Sequence, residues 1–155
     1  MNLRKTIFFS INVSLFIIQF FAFNQSFAEE IVYSHAIVTT SSGKEIPVEV
    51  ADTLKKRSLG LGKRTSLKKG WGMLFVFEKR KHHRFWMKDM RFPLDIIWLD
   101  NHRIVHIIPN AKPANSMDKP EIMTSPVPTN FVLEIAAGRS VKLSLKTGQQ
   151  MKYKF

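Results

Sequence analysis

Alternating apolar and polar residues predict β-strands over most of the chain beyond residue 30. The runs IVYSHAIVTT and EIPVEVA each alternate, and the Ser-Ser-Gly-Lys segment between them is typical of a turn, so together they predict a β-hairpin. Pro47 lies in the second run. Because proline has no N–H group to donate to a neighbouring strand, we expect this run to be an edge strand or to face that position outward.

One early segment, ADTLKKRSLGLG, has helical rather than strand periodicity. Asp52 is a favourable N-cap residue at its start, and Gly60 or Gly62 is a favourable end. The segment therefore predicts a short helix of about two or three turns.

The later segments predict further strands. GMLFVFE is apolar on both faces, which predicts a central strand covered on both sides, and FWMKDM predicts the strand after it. LDIIWLD and RIVHIIP predict a pair joined by a two-residue turn at Asn101 and His102, which tolerate positive φ. The proline-rich stretch Pro109–Asn130 predicts a loop of about twenty residues. FVLEIAAG, VKLSL and QMKYKF predict three more short strands.

These elements together define a fold class. They amount to about eight short strands and one short helix, with no long helical pattern between the strands. We expect a mostly β protein (β-rich α+β) whose antiparallel sheet is barrel-like or rolled, with the helix packed at one end.

The first 28 residues have the pattern of a secretory signal peptide. MNLRK carries two positive charges, Thr6–Phe23 is an uncharged run of 18 residues, and Ser26 and Ala28 stand at the small-residue positions of a cleavage site. An uncleaved membrane anchor is the alternative, since 18 residues is the lower limit for spanning a bilayer. We expect cleavage after Ala28 and a single exported domain at 29–155, periplasmic or secreted.

The amino-acid composition excludes several kinds of chemistry. The chain contains no cysteine, which excludes disulfides, a lipoprotein anchor and thiol catalysis. Its formal net charge of +12 predicts attraction to anionic polymers or lipid headgroups of a cell envelope, or simply solubility. No phosphate-binding glycine loop and no nucleophile motif is present, so no cofactor is predicted.

Several motifs resemble one protein family. KRSLGLGKRTSLKKGWGMLFVFE, FWMKDMRFPLDIIWLD and FVLEIAAG are similar, in order, to motifs of the family catalogued as domain of unknown function 192. The resemblance implies one largely β domain, often exported, and it implies no activity. The chain departs from the family at Gly62, where methionine is usual, at Asp89, where asparagine is common, and at the hairpin Asp100–Arg103, which lacks a glycine.

The unusual feature of the chain is a lysine and an aspartate within the apolar segment FWMKDM. In a strand, Asp89 would share a face with Phe85 and Met87, at the rim of the core, while Lys88 would share the other face with Trp86. An enclosed charge is costly unless it is paired, so we expect partners beside the other apolar strands. The predicted ligand-binding residues are Arg57, Arg64, Trp86, Lys88, Asp89, Asp95 and Glu134.

Three interpretations of these residues remain open. One is an ion-pair network that closes an end of the barrel. The second is a cleft of an exported binding or accessory module that holds an anionic, sugar or phosphate ligand, with Trp86 as a stacking platform. The third is a hydrolase of an envelope glycan or phosphoester that uses Asp89 and Asp95 as its acidic pair, although the sequence does not fix their separation.

Metal and nucleic-acid binding are not predicted. His82 and His83 diverge in a strand and lie within the basic run KRKHHR, while His102 and His106 have no cluster of acidic residues around them. The basic run predicts a solvated hairpin end or a contact with an anionic surface. No RNA-binding aromatic motif or recognition helix accompanies it, and we expect membrane contact only through an uncleaved signal segment.

Overall fold

A computed structural model of the protein describes residues 30–114 and 121–155, so the predicted signal peptide lies outside the described residues. The elements below belong to one compact unit, Val32–Phe155. The strands are β1 (Ser34–Thr39), β2 (Glu45–Ala51), β3 (Gly72–Lys81), β4 (Arg84–Phe85), β5 (Leu94–Asp100), β6 (Arg103–Ala111), β7 (Met123–Thr124), β8 (Thr129–Ala136) and β9 (Lys152–Lys154). The helices are α1 (Leu54–Leu59) and α2 (Arg139–Lys142).

Seven of the strands form one curled sheet in the order β6-β5-β8-β3-β2-β1-β9, and β4 pairs with β7 in a second, small sheet. All neighbours in the large sheet are antiparallel except β2 and β3, which are parallel. Its two edges approach each other, because Ile104 N–H on β6 donates to the carbonyl of Gln149 at 2.9 Å and Met151 N–H donates to the carbonyl of His102 at 2.7 Å. The predicted mostly β, rolled architecture is confirmed.

The three central strands β8, β3 and β5 are apolar on both faces, as predicted for β3. Leu74, Leu133 and Ile135 face one hydrophobic cluster. Met73 and Val132 face a second cluster on the other side of the sheet, where they pack with Phe85 and Met87 from outside the large sheet. The candidate site described below lies on this second face.

The predicted β1–β2 hairpin is confirmed, but β2 is not an edge strand because it lies between β1 and β3. The parallel pairing of β2 with β3 begins at Val48, opposite Gly72. Pro47 precedes this pairing by one residue, so the part of β2 that pairs with β3 contains no proline. The strand therefore tolerates proline at an interior position of the sheet.

The predicted short helix is confirmed as α1, with a different N-cap. The hydroxyl of Thr53, not the side chain of Asp52, accepts the N–H of Lys56 at 3.2 Å. Asp52 instead pairs with the ammonium of Lys56 at 3.0 Å. The helix ends at Gly60, whose φ of 50° is favourable for glycine.

The segment FWMKDM is less regular than predicted. Strand β4 covers only Arg84–Phe85, and the chain turns at Lys88 and Asp89. Burial still alternates through Met87, so Phe85 and Met87 are buried while Trp86 and Lys88 are exposed. Asp89 does not lie at the rim of the core as predicted, because its φ of 59° breaks the alternation and leaves it exposed in the turn.

Two C-terminal predictions also change. VKLSL is not a strand: its first residues belong to α2, which ends at Lys142. Residues 115–120 of the predicted loop Pro109–Asn130 lie outside the described residues, and the described part is less irregular than predicted, because β6 continues to Ala111, β7 occupies Met123–Thr124 and β8 begins at Thr129. The two-residue turn at Asn101 and His102 is confirmed, with φ of 52° at Asn101. Within the described residues, neither helix has the length and apolar character needed to cross a membrane.

Candidate functional site

A cleft of about 240 Å³ opens between α1 and the segment that follows β3. Its walls are largely apolar and include side chains from the second hydrophobic cluster, such as Leu61, Phe75 and Phe85. The exposed side chains of Arg84, Trp86 and Lys88 also line it, which places them at its mouth. The cleft therefore combines apolar walls with a cationic, aromatic entrance.

Glu134 forms the floor of the cleft. It lies in the middle of the central strand β8, opposite Met73 on β3 and Ile96 on β5, both of which are fully buried. The Glu134 residue is 5% exposed, and its carboxyl group has no hydrogen-bond or ion-pair partner among residues 30–114 and 121–155. Burial raises the pKa of this carboxyl from 4.5 to about 8, so the group is a neutral acid at pH 7.

Arg57 forms a fixed part of the wall on the α1 side. Its Nη1 donates to the carbonyl of Val76 at 2.9 Å and also to the carbonyl of Asp52. Its guanidinium lies 5.1 Å from the ring centroid of Phe77, at cation–π distance. These contacts hold the arginine against the cleft while leaving its other N–H groups for a ligand.

His83 lines the cleft beside Arg57. Its ring stacks on Phe77 with centroids 3.6 Å apart and planes 17° apart, and its Nε2 lies 3.0 Å from the carbonyl oxygen of Lys79. Burial lowers the pKa of His83, so the ring is held in its neutral form more strongly than a free histidine. The neighbouring His82 points elsewhere, with Nδ1 3.0 Å from the carbonyl oxygen of Ser125.

Four of the seven predicted site residues line the cleft: Arg57, Trp86, Lys88 and Glu134. Arg64 does not, because it pairs with Glu49 and its guanidinium lies 5.3 Å from the ring centroid of Tyr33. Asp89 also lies outside the lining, and its backbone carbonyl accepts the N–H of Lys63 at 2.9 Å.

Asp95 has a different environment from Glu134, although both are buried acids. It lies on the opposite face of the sheet, since it neighbours Ile135 rather than Glu134 across β5 and β8. Its Oδ1 accepts the N–H groups of Asn110 at 2.8 Å and Gly138 at 3.1 Å, and its Oδ2 accepts the N–H of Ser140 at 2.8 Å. Asp95 thus caps the start of α2 and joins it to β5 and β6.

Arg84 and His83 line the cleft although they are not among the residues predicted from the sequence. Both belong to the basic run KRKHHR, whose pattern predicts a solvated hairpin end or a contact with an anionic surface. The alternation provides a signal for Arg84, because it is two residues before Trp86 and four before Lys88, and all three are exposed on one side of the chain. His83 lies in a loop after β3, where no periodicity applies.

The lining residues do not resemble a metal site. Across the described part of the chain, no group of three or more histidine, aspartate or glutamate side chains is arranged to hold a metal ion. The cleft has one carboxyl group, one histidine and three cationic side chains, a set that favours anions over cations.

Comparison with known proteins identifies relatives without an established activity. The sequence profile of domain of unknown function 192, a family described as uncharacterised ACR, matches residues 36–153. A crystal structure from Sinorhizobium meliloti 1021, described as a candidate transcription regulator, is 29% identical with a TM-score of 0.70, covering 80% of this chain and 97% of that one. A protein of unknown function from Novosphingobium aromaticivorans DSM 12444 is 30% identical with a TM-score of 0.69, covering 81% of this chain and 88% of that one. None of the curated proteins matches the chain significantly.

Proposed function

The chain belongs to the family catalogued as domain of unknown function 192, and because membership carries no activity, we propose a function from the cleft. The protein is a small binding or accessory module that holds a compact anionic ligand, such as an acidic sugar or a phosphate ester. The ligand lies with its ring against Trp86 and its acidic group directed into the cleft, where Arg57, Arg84 and Lys88 surround it and its oxygens can reach Glu134 on the floor.

The observation that carries this proposal is the unpartnered carboxyl group of Glu134 on the floor of the cleft. The carboxyl oxygens receive no hydrogen bond from the described residues, but they are not sealed inside the protein as the unpartnered side-chain atoms of Tyr33, Trp98, Asp100 and Thr129 are, so a ligand in the cleft can reach them. A central β8 position between Met73 and Ile96 would be filled more stably by an apolar residue. A ligand atom that completes the hydrogen bonding of the carboxyl accounts for its place in the cleft.

The size and chemistry of the cleft define the ligand class. A volume of about 240 Å³ is below the roughly 300–1,000 Å³ typical of clefts for drug-sized molecules, so it suits a single sugar ring or a small phosphate ester. Trp86 is 53% exposed and has no aromatic partner in the described structure, which leaves its ring free to stack on a ligand. The guanidinium and ammonium groups favour an acidic ligand.

The proposal also includes a location. The signal-peptide pattern in residues 1–28 supports export, and the formal net charge, +12 for the intact chain and +10 once Arg4 and Lys5 leave with the signal peptide, supports attraction to anionic components of a cell envelope. Cell fractionation tests this part separately: the intact chain should be found outside the cytoplasm, and a variant that starts at Glu29 should remain inside. Cytoplasmic retention of the intact chain would refute it.

Two other functions have less support from the described residues. A hydrolase based on Asp89 and Asp95 would need both acids at one substrate, yet both Asp95 oxygens already accept backbone N–H groups. The regulator description given to the Sinorhizobium protein would require DNA contact, yet α1 and α2 have six and four residues, too short for a recognition helix. Binding is therefore the function we propose.

A series of sugars that differ in charge tests the proposal. We expect glucuronate and glucose 6-phosphate to bind the purified protein, glucose to bind more weakly and glucosamine not to bind, because the entrance is cationic. Isothermal titration calorimetry gives the affinities. If no acidic member binds with a Kd below about 1 mM, equivalent to roughly 4 kcal/mol, the proposal is wrong.

Matched variants show whether binding uses the cleft. Lys88→Ala and Arg84→Ala should each weaken glucuronate binding about tenfold, or roughly 1.4 kcal/mol. Because both side chains are exposed, neither change should alter the free energy of unfolding by more than about 0.5 kcal/mol. Lys152→Ala removes an exposed lysine on β9, outside the cleft, and should bind as the unmodified protein does. Equal losses in all three variants would indicate non-specific attraction to charge.

A further inference from the structure

Glu134 is the single carboxyl group of the cleft, and the other ionisable groups that line it are basic. They come from the two elements that cover the floor: α1 and the segment after β3. These groups are Arg57 from α1 and His83, Arg84 and Lys88 from that segment. The strands on either side of β8 contribute only Met73 and Ile96 at this level of the sheet.

None of these four basic groups pairs with Glu134 in the described structure, although they line the same cleft as Glu134. Arg57 instead uses Nη1 for the carbonyls of Asp52 and Val76, and His83 contacts the carbonyl of Lys79. An ionised carboxylate in this position would be buried and unpaired, which is strongly unfavourable. A protonated carboxyl is tolerated better, and it offers an O–H group that can donate to a ligand.

The polar groups of the cleft are therefore mostly hydrogen-bond donors. Guanidinium and ammonium groups only donate, and the protonated Glu134 adds a donor at the floor. A ligand that fits this set needs acceptor atoms at both the entrance and the floor. Carboxylate and phosphate oxygens meet that requirement, while ammonium groups do not.

We propose that Glu134 selects ligands that place a carboxylate or phosphate oxygen on the floor of the cleft, and that loss of the Glu134 proton releases them. This inference rests on the proposed function and specifies how the same cleft recognises its ligand. An ionised Glu134 would bring a negative charge against the negative ligand oxygen and would remove the O–H donor, so both effects oppose binding.

The direction and range of the pH dependence follow from the burial of Glu134. Burial raises its pKa to about 8, so the proton is lost in mildly alkaline solution. If only the protonated form binds, the apparent Kd should rise about tenfold between pH 7 and pH 9. A ligand that donated a hydrogen bond to Glu134 would show the opposite trend, with tighter binding as the pH rises.

The experiment measures the Kd of glucuronate by calorimetry from pH 6.5 to pH 9 with three forms of the protein. Glucuronate keeps the same charge over this range. In the unmodified protein, affinity should fall about tenfold towards pH 9. Glu134→Gln retains an N–H donor that does not titrate, so its affinity should change little with pH, and any slope that remains belongs to another titrating group, such as His83. Glu134→Leu removes the donor, and its affinity should be at least tenfold lower at pH 7.

The outcomes separate this inference from the proposed function. If glucuronate binds and the unmodified protein and Glu134→Gln have the same pH dependence, the inference is wrong while the proposed function stands. Tighter binding at higher pH in the unmodified protein alone also refutes it. If neither glucuronate nor glucose 6-phosphate binds any form, the proposed function fails, and the inference fails with it. Should Glu134→Leu not fold, the comparison with Glu134→Gln still decides.

Discussion

Replacing Glu134 with glutamine should stabilise the folded protein, and by more at high pH than at low pH. The glutamine is nearly the same size as the protonated acid and cannot ionise, so it preserves the packing between Met73 and Ile96. The pKa of Glu134 is raised by burial from 4.5 to about 8, which means that folding opposes the ionisation of this group. Glutamine has no ionisable group, so the substitution removes the cost of keeping this side chain buried at high pH.

The pH window follows from the two pKa values. Below 4.5 the carboxyl is protonated in the folded and the unfolded chain, so it contributes no pH dependence. Between 4.5 and about 8 unfolding releases a proton, so each unit of rising pH lowers the free energy of unfolding by about 1.4 kcal/mol. Above about pH 8 the carboxyl is ionised in both the folded and the unfolded chain, so the free energy of unfolding falls no further; the total decrease is about 5 kcal/mol.

These values predict the difference between the two proteins. Relative to the unmodified protein, the free energy of unfolding of Glu134→Gln should rise by about 1 kcal/mol from this source at pH 5, about 3 at pH 7 and about 5 at pH 9. The contribution from exchanging an acid for an amide shifts all three values equally. The decisive quantity is therefore the increase of about 4 kcal/mol from pH 5 to pH 9.

Urea denaturation at pH 5, 7 and 9 measures this difference, with unfolding followed by circular dichroism. Glu78→Gln is the matched control, because Glu78 is an exposed glutamate on the adjacent strand β3. It should follow the unmodified protein within about 0.5 kcal/mol at every pH. If the unmodified protein and Glu134→Gln change in parallel with pH, then Glu134 ionises as freely in the folded chain as in the unfolded chain, and the reasoning about the floor of the cleft is wrong.

Three further substitutions test the fold around the cleft. Asp95→Asn should lower the free energy of unfolding by about 2–4 kcal/mol in urea denaturation. The carboxylate accepts three N–H groups through two oxygens, whereas an amide has one oxygen. Asp89→Asn is the control: it lies in an exposed left-handed turn and should change the free energy of unfolding by less than about 0.5 kcal/mol. Gly72→Ala should cost about 1–3 kcal/mol in the same assay, since its Cβ would lie 2.8 Å from the backbone oxygen of Glu134; a neutral result would show that β3 and β8 separate easily. Thr53→Ala should cost about 1 kcal/mol and increase amide hydrogen exchange in α1, whereas unchanged exchange would show that the cap is not needed.

The elements that the sequence predicted well are those specified by neighbouring residues. The β1–β2 hairpin is encoded by two alternating runs and a turn, and the β5–β6 hairpin by Asn101, which adopts the positive φ that its residue type tolerates. The end of α1 at Gly60 has the same local origin. In each case the pattern and the conformation lie within a few residues of each other, so the chain itself carries the information.

The errors arise where a distant contact determines the conformation. VKLSL has the alternation of a strand, yet α2 forms at its start because Asp95, more than forty residues away, accepts the N–H groups of Gly138 and Ser140. Gly138 provides no side-chain cap of its own, so nothing local indicates a helix. In the same way, the turn at Asp89 is held by a hydrogen bond from Lys63, on a different segment, to its carbonyl oxygen. Tertiary capping of this kind is not visible in a single sequence.

The two buried acids show why the candidate site also needed the structure. Asp95 and Glu134 each interrupt an apolar strand, LDIIWLD or FVLEIAAG, and the sequence treats them alike. In the sheet their strands are neighbours, but the register places Asp95 opposite Ile135 and Glu134 opposite Ile96, so the carboxyl groups point to opposite faces. Asp95 accepts three backbone N–H groups, so its contribution to the stability of the fold explains why it is buried. The carboxyl group of Glu134 accepts no N–H group from the described residues and faces a cleft. The free-energy cost of burying it is therefore not offset by a contact within the described fold. A ligand in the cleft is the partner that would offset this cost.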